Sequence, residues 1–320
     1  ERLGRQSKRI WTHGSPESAA MLKDVCRIGL EAGASTIMLL SDDFVPHEGP
    51  NRQNYSLYSP DDKKRFINLQ NAQAFVINDL RAWLDSAYPG TQIEFCPPWY
   101  SNEHVDRGDG KAEQYFRELI HQIPRDVAIV WTGPTIRSLS IDRADIHRYR
   151  SLIGRLPMIW DNTLYARNIE TKRYGGYTTY YPGKVRLCNL FEPYDVDLPD
   201  NFQRFTHNRR IYTNGNAYSE VYKIKYATVA DYEWNTGAYH PERSLWKTLC
   251  RAFGQDCAQQ LIRFSDAYYH AYGICMRMEK EGDASAFLAI GKESIARLDD
   301  SFLNISRTLS KHEALLNELR

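Results

Sequence analysis

The sequence is poor in the features that most readily identify a protein. No apolar run approaches the roughly 20 residues needed to cross a bilayer, so there is no candidate membrane span. Neither sign of charge dominates: 41 Lys and Arg stand against 40 Asp and Glu, a formal net charge of +1. That balance argues against an electrostatic nucleic-acid binder, which needs a clear basic excess. The six cysteines, Cys26, Cys96, Cys188, Cys250, Cys257 and Cys275, form no CxxC pair and have no histidine at metal-ligand spacing. They read as free core thiols, with a Cys250–Cys257 bridge as the alternative. No GxGxxG turn follows any candidate strand, which weakens a dinucleotide-binding reading, and nothing calls for a cofactor or a metal. The sequence opens at Glu1 with neither an initiator Met nor a signal peptide. It therefore reads as a processed chain whose compartment is not written in it.

What is present is an alternation. Ser15-Pro16-Glu17 starts a helix, with Ser as N-cap and Pro at the first helical position, and the helix runs to about Ala32. Thr36–Leu40 is a short apolar strand ending in Ser41-Asp42-Asp43. A long helix is expected from Pro60, with Phe66, Leu69, Val76, Leu80 and Trp83 on one face. Further strands are expected at Gln92–Cys96, Val127–Trp131, Pro157–Trp160 and Arg210–Thr213, with helices near 112–123, 141–154 and after Asn216. Continuous apolar strands, each followed by a helix, mean a parallel sheet covered on both faces.

All five strand ends carry polar or aromatic side chains, or glycine, as the rim of a barrel does when its strands share one site. The fold class is therefore α/β, a TIM (β/α)8-type barrel of which five units are visible, followed by a helical bundle. Residues 1–239 form the barrel, with a Tyr- and Gly-rich insertion at about 163–206. From 240 to 320 the chain is helical, and Leu288, Ile295, Leu298, Phe302, Ile305 and Leu309 follow a near-heptad spacing that reads as packing.

The Asp42-Asp43 pair is the sharpest chemical signal. Two carboxylates this close repel when both are ionised, which raises one pKa and leaves an acid able to donate a proton near neutrality. Glycoside hydrolysis uses such a pair. A helix N-cap or a solvated loop end is the plainer alternative. The 21 tyrosines and seven tryptophans supply flat faces that suit either sugars or a core.

Five motifs then carry a resemblance. They are Ile37-Met38-Leu39-Leu40-Ser41-Asp42-Asp43-Phe44, Phe95-Cys96-Pro97-Pro98-Trp99-Tyr100, Val130-Trp131-Thr132-Gly133-Pro134, Pro157-Met158-Ile159-Trp160-Asp161-Asn162 and Tyr212-Thr213-Asn214-Gly215-Asn216. In this order and spacing, over roughly residues 17–235, the sequence resembles the β-N-acetylglucosaminidases of the O-GlcNAcase and bacterial hyaluronidase type (glycoside hydrolase family 84). The resemblance implies a retaining, substrate-assisted glycosidase without cofactor. In it the sugar's own 2-acetamido oxygen attacks C1 to give an oxazoline. Asp42 would accept the acetamide N–H, and Asp43 would act as general acid and then as general base. Tyr100 would position the acetamido group, Asn162, Asn214 and Asn216 would meet the sugar, and Trp160 is either a stacking wall or core.

The sequence departs from that family in two ways. It starts after the family's third strand, so the expectation is a barrel lacking its first three βα units and with them part of the pocket. Arg167 stands where an Asp that binds the sugar's outer hydroxyls is expected. A guanidinium cannot accept hydrogen bonds but binds carboxylate or sulfate well, which points to an acidic or substituted sugar. The expected partner is an N-acetylglucosamine-containing glycan or glycoprotein, with a homo-oligomer left open. The alternatives are a glycan-binding pseudoenzyme and a barrel fragment that needs a missing segment. Bacterial relatives imply a periplasmic or secreted location, animal relatives the cytosol.

Overall fold

The computed structural model describes residues 12–42, 59–136, 138, 141–162, 207, 211–213, 219–264, 267, 296–307 and 313. Helix α1 (Pro16–Glu31) starts as its sequence dictates: the Ser15 hydroxyl accepts the Ser18 N–H and Pro16 occupies the first turn, where its missing donor costs nothing. Strand β1 (Thr36–Leu40) follows.

The single long helix expected from Pro60 is two helices, α2 (Pro60–Arg65) and α3 (Leu69–Ala87). Phe66 is extended at φ −117° and ψ 144°, and the Asn68 side chain restarts the helix by accepting the Asn71 N–H. Phe66 still faces apolar neighbours because it folds back on Phe75, ring centroids 5.5 Å apart. The Arg65 guanidinium covers that pair, 4.4 Å from the Phe75 centroid. Apolar spacing therefore runs unbroken across a chain break in the helix.

The remaining elements are β2 (Gln92–Cys96), α4 (Asn102–Arg107), α5 (Lys111–Leu119), β3 (Ala128–Trp131), α6 (Arg143–Ile153), β4 (Pro157–Asp161), β5 (Ile211–Thr213), α7 (Ser219–Trp234) and α8 (Pro241–Phe253). The strands form one sheet in the order β1-β2-β3-β4-β5, and β1–β2, β2–β3 and β3–β4 pair in parallel. A doubly wound sheet reverses its strand order at a switch point. Here the order never reverses over five strands, which is the winding of a (β/α) barrel, present in part.

The two faces of this sheet are built differently. Ile93, Phe95, Ile129 and Trp131 lie on the helix-covered side, and they are among the most deeply buried residues with Ile77, Leu80, Leu84, Phe116, Leu119 and Tyr149. Trp131 stacks on Tyr149 at 5.4 Å, and Phe116 meets Tyr149 edge-on at 5.6 Å. Each such side chain contributes about 1.5–3 kcal/mol on burial, so this layer is the main source of stability. The inner face carries Cys96, Tyr100, Ala128, Val130 and Met158, with Met38, Trp160 and Tyr212 packed against them.

The chain divides into two compact units, residues 1–161 with 197–212, and residues 162–196 with 213–320. In the second, Ile224 of α7 and Leu245 and Leu249 of α8 share a core with Cys257, Ala258, Leu261, Phe264 and Ile305. Leu298 and Phe302 of the expected stripe pack against that core; Leu288, Ile295 and Leu309 lie outside the described residues, as does the 163–206 insertion. Cys26, Cys96, Cys250 and Cys257 are free thiols, so the Cys250–Cys257 bridge does not form. Among the described residues no helix is long and apolar enough to cross a membrane.

Candidate functional site

Parallel strands bring all their C-terminal ends to one edge of the sheet. At β1 the last pair is Leu40 with Cys96, and the Ser41 N–H donates to the Cys96 carbonyl at 2.9 Å. Asp42 is the next residue, half-buried at the sheet's rim. Asp43 lies outside the described residues.

The end of β2 is held from two sides. The Tyr100 carbonyl accepts the Thr132 N–H at 2.8 Å and the Thr132 hydroxyl at 3.3 Å. The Tyr100 ring is only 8% exposed and meets His104 edge-on at 4.5 Å. Ser101 starts α4 by accepting the His104 N–H. One residue earlier, the Trp99 carbonyl accepts the Tyr149 hydroxyl at 2.7 Å, and full burial pushes that phenol well above its ordinary pKa.

The end of β3 supplies the other half of this lock. The Gly133 carbonyl accepts the Asn102 N–H at 3.1 Å and the Pro134 carbonyl accepts the Glu103 N–H at 2.9 Å, so this turn satisfies donors that the first turn of α4 leaves open. Gly133 sits at φ +103°, and a Cβ there would meet Ser138 Oγ at 2.2 Å; only glycine fits. The Ser138 hydroxyl donates to the Thr132 carbonyl at 2.9 Å, and the Thr132 hydroxyl reaches the Thr135 carbonyl at 2.9 Å. Thr132 is thus a buried turn residue.

At β4, Trp160 is half-buried and packs on the inner apolar cluster, its ring centroid 6.5 Å from that of Tyr212. It is therefore part of the inner packing. Asp161 and Asn162 follow, both buried. Of the candidate residues, the ends of β1, β2 and β4 bring Asp42, Tyr100 and Trp160 to the same edge. Arg167, Asn214 and Asn216 lie outside the described residues. The inner face also holds a carboxylate that the motifs did not single out: Glu94, in the middle of β2 and 1% exposed, accepts the Tyr212 hydroxyl at 3.1 Å. A glutamate between Ile93 and Phe95 in the strand QIEFC is the signal that could have found it. The edge thus carries a half-buried carboxylate at Asp42, a buried tyrosine at Tyr100 and a half-buried indole at Trp160.

Comparison with known proteins bears on the family and the fold. A family model described as beta-N-acetylglucosaminidase matches residues 12–172, about half of the chain. That span includes Asp42, Asp43, Tyr100, Trp160, Asn162 and Arg167, but neither Asn214 nor Asn216. Protein O-GlcNAcase of Rattus norvegicus and that of Mus musculus are each 26% identical over 162 residues, covering 51% of this chain and 16% of the relative. The chain thus spans about a sixth of the length of the curated relatives it matches. Among solved structures, a mutant of the Thermobaculum terrenum O-GlcNAc hydrolase superposes with a TM-score of 0.65 at 20% identity, over 96% of this chain and 62% of that one. At such identity the likeness shows the fold, a partial (β/α) barrel with its helices.

Proposed function

Because the chain belongs to the beta-N-acetylglucosaminidase family, we propose that it is a glycoside hydrolase of the O-GlcNAcase type, acting on β-linked N-acetylglucosamine or a close relative in glycans or glycoproteins. The observation that carries this reading is the common edge of the sheet, where Asp42 follows β1, Tyr100 follows β2 and Trp160 is the penultimate residue of β4. Asp43 follows Asp42 in the sequence.

In the proposed reaction the substrate's 2-acetamido oxygen displaces the leaving group at C1, forming an oxazoline, and water then opens the ring with net retention. Asp42 accepts the acetamide N–H and so orients and polarises that oxygen. Asp43 donates its proton to the departing glycosidic oxygen and takes one back from the incoming water. Tyr100, held by Thr132 and His104, bounds the acetamido pocket; Trp160 flanks the ring, and Asn162, Asn214 and Asn216 hydrogen-bond its hydroxyls. Arg167 selects a sugar carrying a negative substituent, since a guanidinium offers donors only.

The test is the dependence on the acetamide. An aryl β-N-acetylglucosaminide is expected to be hydrolysed and the matching aryl β-glucoside, which lacks the internal nucleophile, is not. Comparable turnover of both would sink the substrate-assisted reading. Arg167→Asp should shift preference from a sulfated or carboxylated sugar toward the neutral one; unchanged preference removes Arg167 from the pocket.

A further inference from the structure

On the inner face of the sheet, Glu94 and Tyr212 join two strands that are not neighbours. Glu94 lies on β2 and Tyr212 on β5, with β3 and β4 between them. In a flat sheet, three strand spacings of about 4.8 Å would hold the two backbones about 14 Å apart, near the limit of what a glutamate and a tyrosine can bridge. Their 3.1 Å hydrogen bond is therefore a tie across the concave side of the curl. The environment makes the tie costly to lose: Glu94 is 1% exposed, and its neighbours on that face are Met38, Cys96, Ala128 and Met158. A buried oxygen deprived of its donor, or a hydroxyl deprived of its acceptor, keeps its full desolvation cost.

The placement gives the tie a functional reach. Tyr212 is the ring beside Trp160, and its chain runs on directly into Thr213-Asn214-Gly215-Asn216. We propose that Glu94 is a positioning residue: by accepting the Tyr212 hydroxyl it fixes the flank of Trp160 and the course of β5, and so sets how tightly the sugar is held. It touches neither the substrate nor the scissile bond. The proposal rests on the glycosidase reading above.

A residue acting this way supports ground state and transition state alike, so its loss raises KM and spares kcat. In the full chain, Tyr212→Phe removes the donor at almost no change of volume, and Glu94→Ala removes the acceptor. On an aryl β-N-acetylglucosaminide, each is expected to raise KM by about five- to twentyfold with kcat within about twofold, and the double variant to be no worse than the single ones. Glu94→Gln keeps an acceptor oxygen and is expected to recover most of the wild-type KM. If Glu94→Ala does not fold, Tyr212→Phe and Glu94→Gln decide the matter between them. A lower melting temperature with unchanged KM in Tyr212→Phe makes the tie merely structural and overturns the proposal, as does a Glu94→Gln variant no better than Glu94→Ala. An unmodified chain that hydrolyses nothing overturns the glycosidase reading and this one together, whereas an active chain indifferent to both substitutions overturns only this one.

Discussion

Strands β1 and β3 end at the same edge of the sheet and are built on opposite terms. Every residue of β3 is buried, and its turn is locked by Thr132, Gly133 and Ser138 into the end of β2. In β1 no residue is fully buried, and Leu40, the last of the strand, is 54% exposed. The dense packing lies where Tyr100 is held, whereas Asp42 follows a strand with no fully buried residue.

That contrast can be broken from its strong side. Phe95→Ala, in the fully buried layer between sheet and helices, should destabilise by about 3–5 kcal/mol, read from denaturant unfolding. Gly133→Ala combines a left-handed backbone with a clash at Ser138 and should cost about 2–3 kcal/mol. Its effect on kcat/KM should exceed what the unfolded fraction explains, because the turn that holds Tyr100 shifts. Thr132→Val keeps the shape and deletes the hydroxyl that reaches the Thr135 and Tyr100 carbonyls; about 1–2 kcal/mol is expected, with a modest rise in KM. On the weak side, Leu40→Thr should change stability by less than about 0.5 kcal/mol. If Leu40→Thr proved as costly as Thr132→Val, β1 would be covered in solution and the contrast would fall.

Much of this architecture is legible in the residues, and the exceptions have physical causes. Strand β2 is legible because Ile93, Phe95 and Cys96 are all buried, and β1 from its short apolar run although none of its residues is fully buried. The Ser15-Pro16 start of α1 is legible because a cap and a proline act locally. The break between α2 and α3 is hidden, since Phe66 keeps helical spacing to Leu69 while turning back on Phe75. Helix α4 escapes because its six residues hold no apolar stripe; its start depends on carbonyls lent by Gly133 and Pro134, a tertiary matter. Within the site, Asp42, Tyr100 and Trp160 sit at strand ends that motifs can flag. The Glu94–Tyr212 tie joins residues 118 positions apart, and only the curl of the sheet brings them together.

The most direct test of the glycosidase account is hydrolysis of aryl β-N-acetylglucosaminides by the chain and by its Asp43→Ala variant, with leaving groups of graded acidity. The account predicts a loss of about 10²–10⁴-fold in kcat/KM for a poor leaving group, shrinking steeply for a phenol acidic enough to leave unprotonated. An unmodified chain that hydrolyses none of them, or an Asp43→Ala variant as active as the parent on the poorest, would contradict it.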